Sequence, residues 1–172
     1  MAYPQPFPDG GIAHQVVKAA KLNLTSPAVR GPQRPDGSYR EITYAQLLAN
    51  AHNISRYLED SGDFRPHRDT FIAVLLPRDV DFVTAVLGVL FSGAAYLPLS
   101  STLPKERIRF MVEDAGAHIL LTDASGDALT NTWFLYRTLL ISDVPRIDEP
   151  AVAEACVPQI HLSTSPSDLA CD

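Results

Sequence analysis

Cys156 and His161 stand five residues apart and Cys171 follows ten later, and thiol and imidazole are the side chains that could ligate zinc or act as a nucleophile. Tetrahedral zinc sites draw short-spaced pairs of ligands, and gaps of five and then ten residues match none of their common patterns. His14, His52, His67 and His118 are scattered, and each reads as a surface or core-edge histidine. Asp79 and Asp81 are close in sequence but fall on different faces of a helix, and a capping role accounts for Asp79. Glu113 and Asp114 fall at the end of an expected helix, where acids oppose the dipole, and read as a solvated face. No Gly-x-x-x-x-Gly-Lys-Ser/Thr loop, no Gly-x-Gly-x-x-Gly after a strand and no Gly-x-Ser-x-Gly elbow is present. Gly88, Gly93 and Gly116 are spaced as helix or turn glycines, not as a phosphate cradle. The residues alone therefore assign no catalytic, cofactor-binding or metal-binding position.

The elements that would position any site are organised around Phe71 to Leu99. The run from Phe71 to Pro77 is apolar and rich in branched residues, which suits a strand buried on both faces. Asp79 is a good N-cap for a helix that stops at Ser92-Gly93 and is apolar on nearly every side, hence buried. Ala94 to Leu99 is strand-like again. Strand, helix and strand at this spacing form a βαβ unit with parallel strands. A bilayer-spanning helix is the rival, because Phe82 to Pro104 carries no charge. Ser92-Gly93 in the middle, Pro98 near the end and no flanking basic cluster argue against it. No membrane association is expected.

Upstream, residues 1–11 read as a proline-rich arm. Ile12 to Leu24 reads as a helix with Ile12, Val16, Ala19 or Ala20, and Leu24 on its buried face, ended by Pro27. The turn Arg34-Pro35-Asp36-Gly37-Ser38 predicts a hairpin joining Val29 to Tyr39–Ile42. Thr43 with Gln46 is a capping box, and Ile42 with Leu47 is the matching hydrophobic staple. The helix that follows should bury Tyr44, Leu47, Leu48, Ala51, Ile54 and Leu58, expose Asn50, Asn53 and Arg56, and stop at Gly62, before a polar loop over residues 63–69. Downstream, Pro104 sits in the first turn of a helix with Ile108, Met111, Val112 and Ala115 as its stripe and Gly116 as its stop. His118 to Thr122 closes a second βαβ unit. Asp127 to Arg137 is expected as a helix bearing Leu129, Trp133 and Tyr136, and Leu139 to Ser142 as a strand. Residues 145–172 read as loop or linker, so the division is an arm over 1–11, an α/β unit over 12–144 and a linker over 145–172.

A chain of 172 residues has room for one ordinary domain. Net charge of −6 disfavours nonspecific nucleic-acid binding, which needs a basic face. Two cysteines imply no disulfide framework, and the N-terminus has no basic region or apolar core of a signal peptide, so a cytoplasmic location is expected.

Two stretches carry a family resemblance. Ile42 to Ala51 (ITYAQLLANA) resembles the first core motif of adenylation domains from nonribosomal peptide synthetases. Leu90 to Ser100 (LFSGAAYLPLS) resembles the second, with Ser100 in place of the usual closing aspartate and Ser101 in place of the usual proline. The segments between and after them are also similar, and the resemblance covers Ile12 to Thr122. It implies the first α/β subdomain of an adenylate-forming enzyme: a mainly parallel sheet with flanking helices, plus an N-terminal hairpin. It implies a reaction in which a carboxylic acid and ATP give an acyl-adenylate and pyrophosphate with magnesium, followed by transfer to a phosphopantetheine thiol on a carrier domain. The family's phosphate loop normally follows a segment like Ser167 to Ala170, and here the sequence ends at Asp172. The ribose-holding acid, acyl pocket and C-terminal lysine have no counterpart in it either. The resemblance therefore carries over no catalytic, cofactor or metal residue. The expectation is a truncated adenylation domain, not catalytic alone, whose partner is the remainder of such a domain or a carrier domain. The alternative is a non-catalytic assembly module that pairs with another chain.

Overall fold

The computed structural model describes residues 11–60, 70–134 and 136–156. The Gly62 stop, the polar loop of 63–69, the arm up to residue 10, and His67, His161 and Cys171 lie outside them.

Four strands form the central sheet: β3 (Phe71–Leu75), β4 (Ala95–Pro98), β5 (Ile119–Thr122) and β6 (Arg137–Leu140), in the order β4-β3-β5-β6 and all parallel. A separate antiparallel hairpin, β1 (Pro27–Gln33) and β2 (Tyr39–Thr43), precedes them with Val29 opposite Ile42. The expected parallel α/β architecture and hairpin are both present.

Side chains alternate across a strand, so β3 sends Ile72 and Val74 to one face and Ala73 and Leu75 to the other. The first face packs against α3 (Val80–Phe91), through Phe82, Ala85 and Val89, and against Ile54 and Leu58 of α2 (Tyr44–Glu59). The second packs against α4 (Lys105–Asp114), through Ile108 and Val112. Helices on opposite faces are what right-handed crossovers demand when β3 connects to one side and β4 crosses back over it.

A further core contains no residue of the central sheet, though Ile42 of the hairpin belongs to it. It joins α3 through Val80, Leu87 and Phe91 to α1 (Ile12–Ala20), the start of α2 and α6 (Pro150–Cys156). The helix α3 thus has core on two sides, and it reads as apolar almost all round for that reason. No helix among the described residues is long and apolar enough to cross a membrane.

The helix ends follow from local chemistry. Asp79 accepts from Asp81 N–H at 2.9 Å and from Phe82 N–H at 3.4 Å. Thr43 and Gln46 make the capping box in both directions, with Thr43 N–H donating to Gln46 Oε1 at 2.9 Å. Ile42 and Leu47 are both buried beside it. At the end of α4, Gly116 takes φ +61°, and Ala117 N–H reaches back to the Val112 carbonyl at 3.1 Å, closing a Schellman turn.

Four expectations are corrected. The buried face of α1 is Ala13, Val17 and Ala20, while Ile12 is 69% exposed and the helix ends at Ala20. Ala20, one of the two expected alternatives, lies on that face, and Val16 and Leu24 pack partly buried against the same core. The expected helix over Asp127–Arg137 is instead α5 (Ala124–Thr130), capped by Asp123 and followed by turns. Arg137 begins β6, donating its N–H to the His118 carbonyl at 3.1 Å, so sheet pairing prevails over helical periodicity there. Residues 145–156 are not a loose linker: they lie against α2 and include α6. Finally, Asn50 is 8% exposed rather than solvated, and Asn53 bonds to that same segment, whereas Arg56 is exposed as expected.

Candidate functional site

In open parallel sheets a ligand lies beyond the carboxyl ends of the strands, where neighbouring connections diverge to opposite faces. Here that point lies between β3 and β5. Thr122 Oγ1 donates to the Leu75 carbonyl at 2.7 Å, and both atoms are buried. Helix α5 starts directly above, with Gly126 N–H donating to Asp123 Oδ1 at 2.8 Å. A Cβ at Gly126 would overlap Thr122 Oγ1 and sit 3.1 Å from the Leu75 carbonyl. The chain's own atoms fill this strand-end position, and the Gly126 amide already has a carboxylate. No cradle opens there among the described residues.

The second concentration of polar groups lies at the start of α3. Asp81 Oδ2 accepts from Arg40 Nη1 of β2 at 2.8 Å, and Asp81 Oδ1 accepts from Arg146 Nη2. The hydrogen bond to Asp81 raises the Arg40 guanidinium above its ordinary value, against the effect of partial burial. Asn50, Ile54, Thr84, Val144 and Arg146 line a shallow, open cleft beside it. Thr84 Oγ1 donates to the Val80 carbonyl at 2.7 Å, so it too is engaged. This arrangement can hold three segments together: hairpin, α3 and the stretch after β6. It has no free nucleophile, because Asp81 is spent on two guanidinium groups and Asp79 on its helix.

The remaining residues considered for chemistry stay apart. His14 lies on α1, His52 on α2, and the His118 ring meets Tyr136 at a tilt with centroids 4.5 Å apart. Cys156 is a free thiol on α6. Magnesium takes several hard oxygen ligands in near-octahedral geometry. No group of three or more His, Cys, Asp or Glu side chains among the described residues could hold a metal ion. From sequence Asp81 reads as an acid on its own helix face and Asn50 as a solvated side chain, because their partners lie 41 and 97 residues away and leave no local signal. Where the second motif departs from the usual pattern, Ser100 Oγ accepts from Thr102 N–H at 3.3 Å, and the Ser100 carbonyl accepts from Leu103 N–H at 3.1 Å. Ser100 thus shapes the turn into α4.

The fold and these two regions define a parallel α/β unit whose own strand ends carry no open ligand crevice among the described residues. The profile of AMP-binding enzymes matches residues 17–170, and the chain belongs to that family. A linear gramicidin synthase of Brevibacillus parabrevis is 31% identical over 169 residues, which cover 94% of this chain and 3% of that protein. The isonitrile lipopeptide synthase of Streptomyces coeruleorubidus is 40% identical over 119 residues, covering 69% of this chain and 7% of that protein. The chain thus spans a small part of the length of these relatives. Among solved structures, the nonribosomal peptide synthetase FmoA3 with α-methyl-L-serine-AMP bound superposes with a TM-score of 0.65 at 26% identity, covering 80% of this chain and 14% of that one. A fatty acid AMP ligase from Legionella pneumophila gives 0.65 at 18% identity and shares the fold.

Proposed function

We propose that this chain supplies the N-terminal scaffold of a unit that activates an amino acid or another carboxylic acid with ATP. The product is an acyl-adenylate with release of pyrophosphate, and the acyl group then passes to a phosphopantetheine thiol on a carrier domain. The observation that carries this reading is the family match across residues 17–170, together with the same parallel sheet in an adenylate-bound relative. The described residues contribute shape rather than chemistry. They close the strand ends with Thr122 and Gly126 and hold hairpin, α3 and the segment after β6 around Asp81. Triphosphate and magnesium are handled by other parts of the unit, and a cytoplasmic location suits a thioester-forming assembly.

The test is a chimaera in which residues 12–156 replace the matching segment of a related adenylation domain. Acid-dependent ATP–pyrophosphate exchange by the folded chimaera, with none from the 172-residue chain alone, is the expected result. A folded but inactive chimaera, or exchange by the chain alone, overturns the reading.

A second reading, an assembly module that pairs with another chain, draws on the sheet edges. Among the described residues, strands β4 and β6 each have one paired side, and Tyr136, beside β6, is 60% exposed. Sedimentation of the chain as a monomer at all concentrations, alone and with the rest of an adenylation domain, would exclude it.

A further inference from the structure

Gln46, Asn50 and Asn53 follow one another along α2 at spacings that place them in one line. All three meet the main chain of the same short stretch. Asn53 Nδ2 donates to the Pro145 carbonyl at 2.9 Å. Asn50 Nδ2 donates to the Ile147 carbonyl at 3.0 Å, while Asn50 Oδ1 accepts from Ile147 N–H at 2.7 Å. Gln46 Nε2 donates to the Asp148 carbonyl. These bonds hold backbone groups that would otherwise need water, and none reads a side chain of residues 145–148. Arg146 adds its ion pair to Asp81.

The apolar anchoring of the same stretch is slight. Ala153 is fully buried against the α1–α2–α3 core, Ile147 and Cys156 are partly buried there, and Val152 is 51% exposed. By contrast, β3 and β5 bury Ile72, Val74, Leu75, Leu120 and Leu121 almost completely. Segments with few buried apolar contacts open locally at lower free energy than the core unfolds.

We propose that residues 145–156 form a strap that opens from α2 as one unit while the sheet stays folded, with Asn50 as its latch. Asn50 both gives to and takes from the strap backbone. Losing it strips partners from a donor and an acceptor of the strap together, whereas losing Asn53 or Gln46 frees one strap acceptor each. Asp81 keeps Arg40 when Arg146 leaves, so the hairpin stays in place while the strap lifts. The device concerns this chain's own segments and stands apart from the adenylating reading.

The experiment is native-state hydrogen exchange by mass spectrometry on the full chain, wild type and Asn50→Ala, across a denaturant series. Amides of 147–156 should exchange about tenfold faster in Asn50→Ala, with β3 and β5 unchanged. Maleimide labelling of Cys156, in a Cys171→Ser background, should quicken in parallel. If strap and sheet amides of the wild type follow one common denaturant dependence, the strap is not a separate unit and the proposal is overturned. Equal acceleration of strap and sheet in Asn50→Ala overturns the latch. If that variant does not fold, the wild-type series alone decides, a shallower dependence for the strap being the supporting result.

Discussion

Gly88→Ala tests how α2 and α3 are fitted together. By helix propensity alone the change is favourable by about 1 kcal/mol, since Gly88 lies inside α3. Packing points the other way. A Cβ at Gly88 would stand 2.6 Å from both Cβ and Cγ2 of Ile54 and 2.9 Å from the Ala51 carbonyl oxygen. Carbon atoms pack best at about 3.5–4.0 Å, so the helices must part by roughly 1 Å. The Ile54 Cβ is fixed to its backbone and cannot rotate away, and Ala51 presents a backbone atom. Overpacking of this kind costs about 1–3 kcal/mol, and a gap of that size forfeits much of the dispersion along the rest of the contact. The net expectation is a loss of about 2 kcal/mol, the upper part of that range less the propensity gain. Urea unfolding of the purified chain measures it as a lowered midpoint at unchanged slope. Ile54→Ala should also cost less in the Gly88→Ala background than in the wild type, because it relieves the overlap. An unchanged or raised midpoint for Gly88→Ala would refute the close approach of these helices.

Gly126→Ala should cost about 2–3 kcal/mol, read from the thermal midpoint, because the new methyl overlaps Thr122 Oγ1 and displaces it from the Leu75 carbonyl. Adding Thr122→Ser should not restore the wild-type value, since the hydroxyl remains in the way. At the hairpin tip, the Ser38 side chain and then its N–H donate to Asp36 Oδ1, at 2.6 and 2.9 Å, and hold that carboxyl below its ordinary value. A depressed folded value means that the associated stability is present above the ordinary carboxylate value of 3.8 and is lost as pH falls through the folded one. Ser38→Ala should move the Asp36 titration, followed by carboxyl-carbon NMR, upward; no movement would show that the serine is not its partner.

Much of the fold was legible because its causes are local. A capping box, a carboxylate N-cap, an Asp-Gly turn and buried runs of branched residues each act within a few positions, and each stands where sequence placed it. Reading failed where two local preferences competed. Residues 127–137 have helical periodicity, but the parallel ladder of β6 on β5 ends the helix at Thr130. The family could be read from Ile42–Ala51 and Leu90–Ser100, since such motifs are contiguous.

Sequence by itself thus determined the strands up to Thr122, the capping box and the Asp79 cap, the parallel direction implied by βαβ spacing and the family, whereas the strand expected over Leu139–Ser142 runs instead over Arg137–Leu140, with a 3-10 turn over Ile141–Asp143. Tertiary structure alone decided what Asn50, Asn53 and Asp81 do. On a helical wheel the two asparagines face outward, and only the return of residues 145–148 gives them partners nearly a hundred positions away. Sealing of the strand ends by Thr122 and Gly126 was equally hidden, because it depends on β5 lying beside β3. Local preferences are properties of a few neighbouring residues. Partners brought together across the fold are properties of the packed whole, and a polar side chain shows no preference for either until its surroundings are assembled.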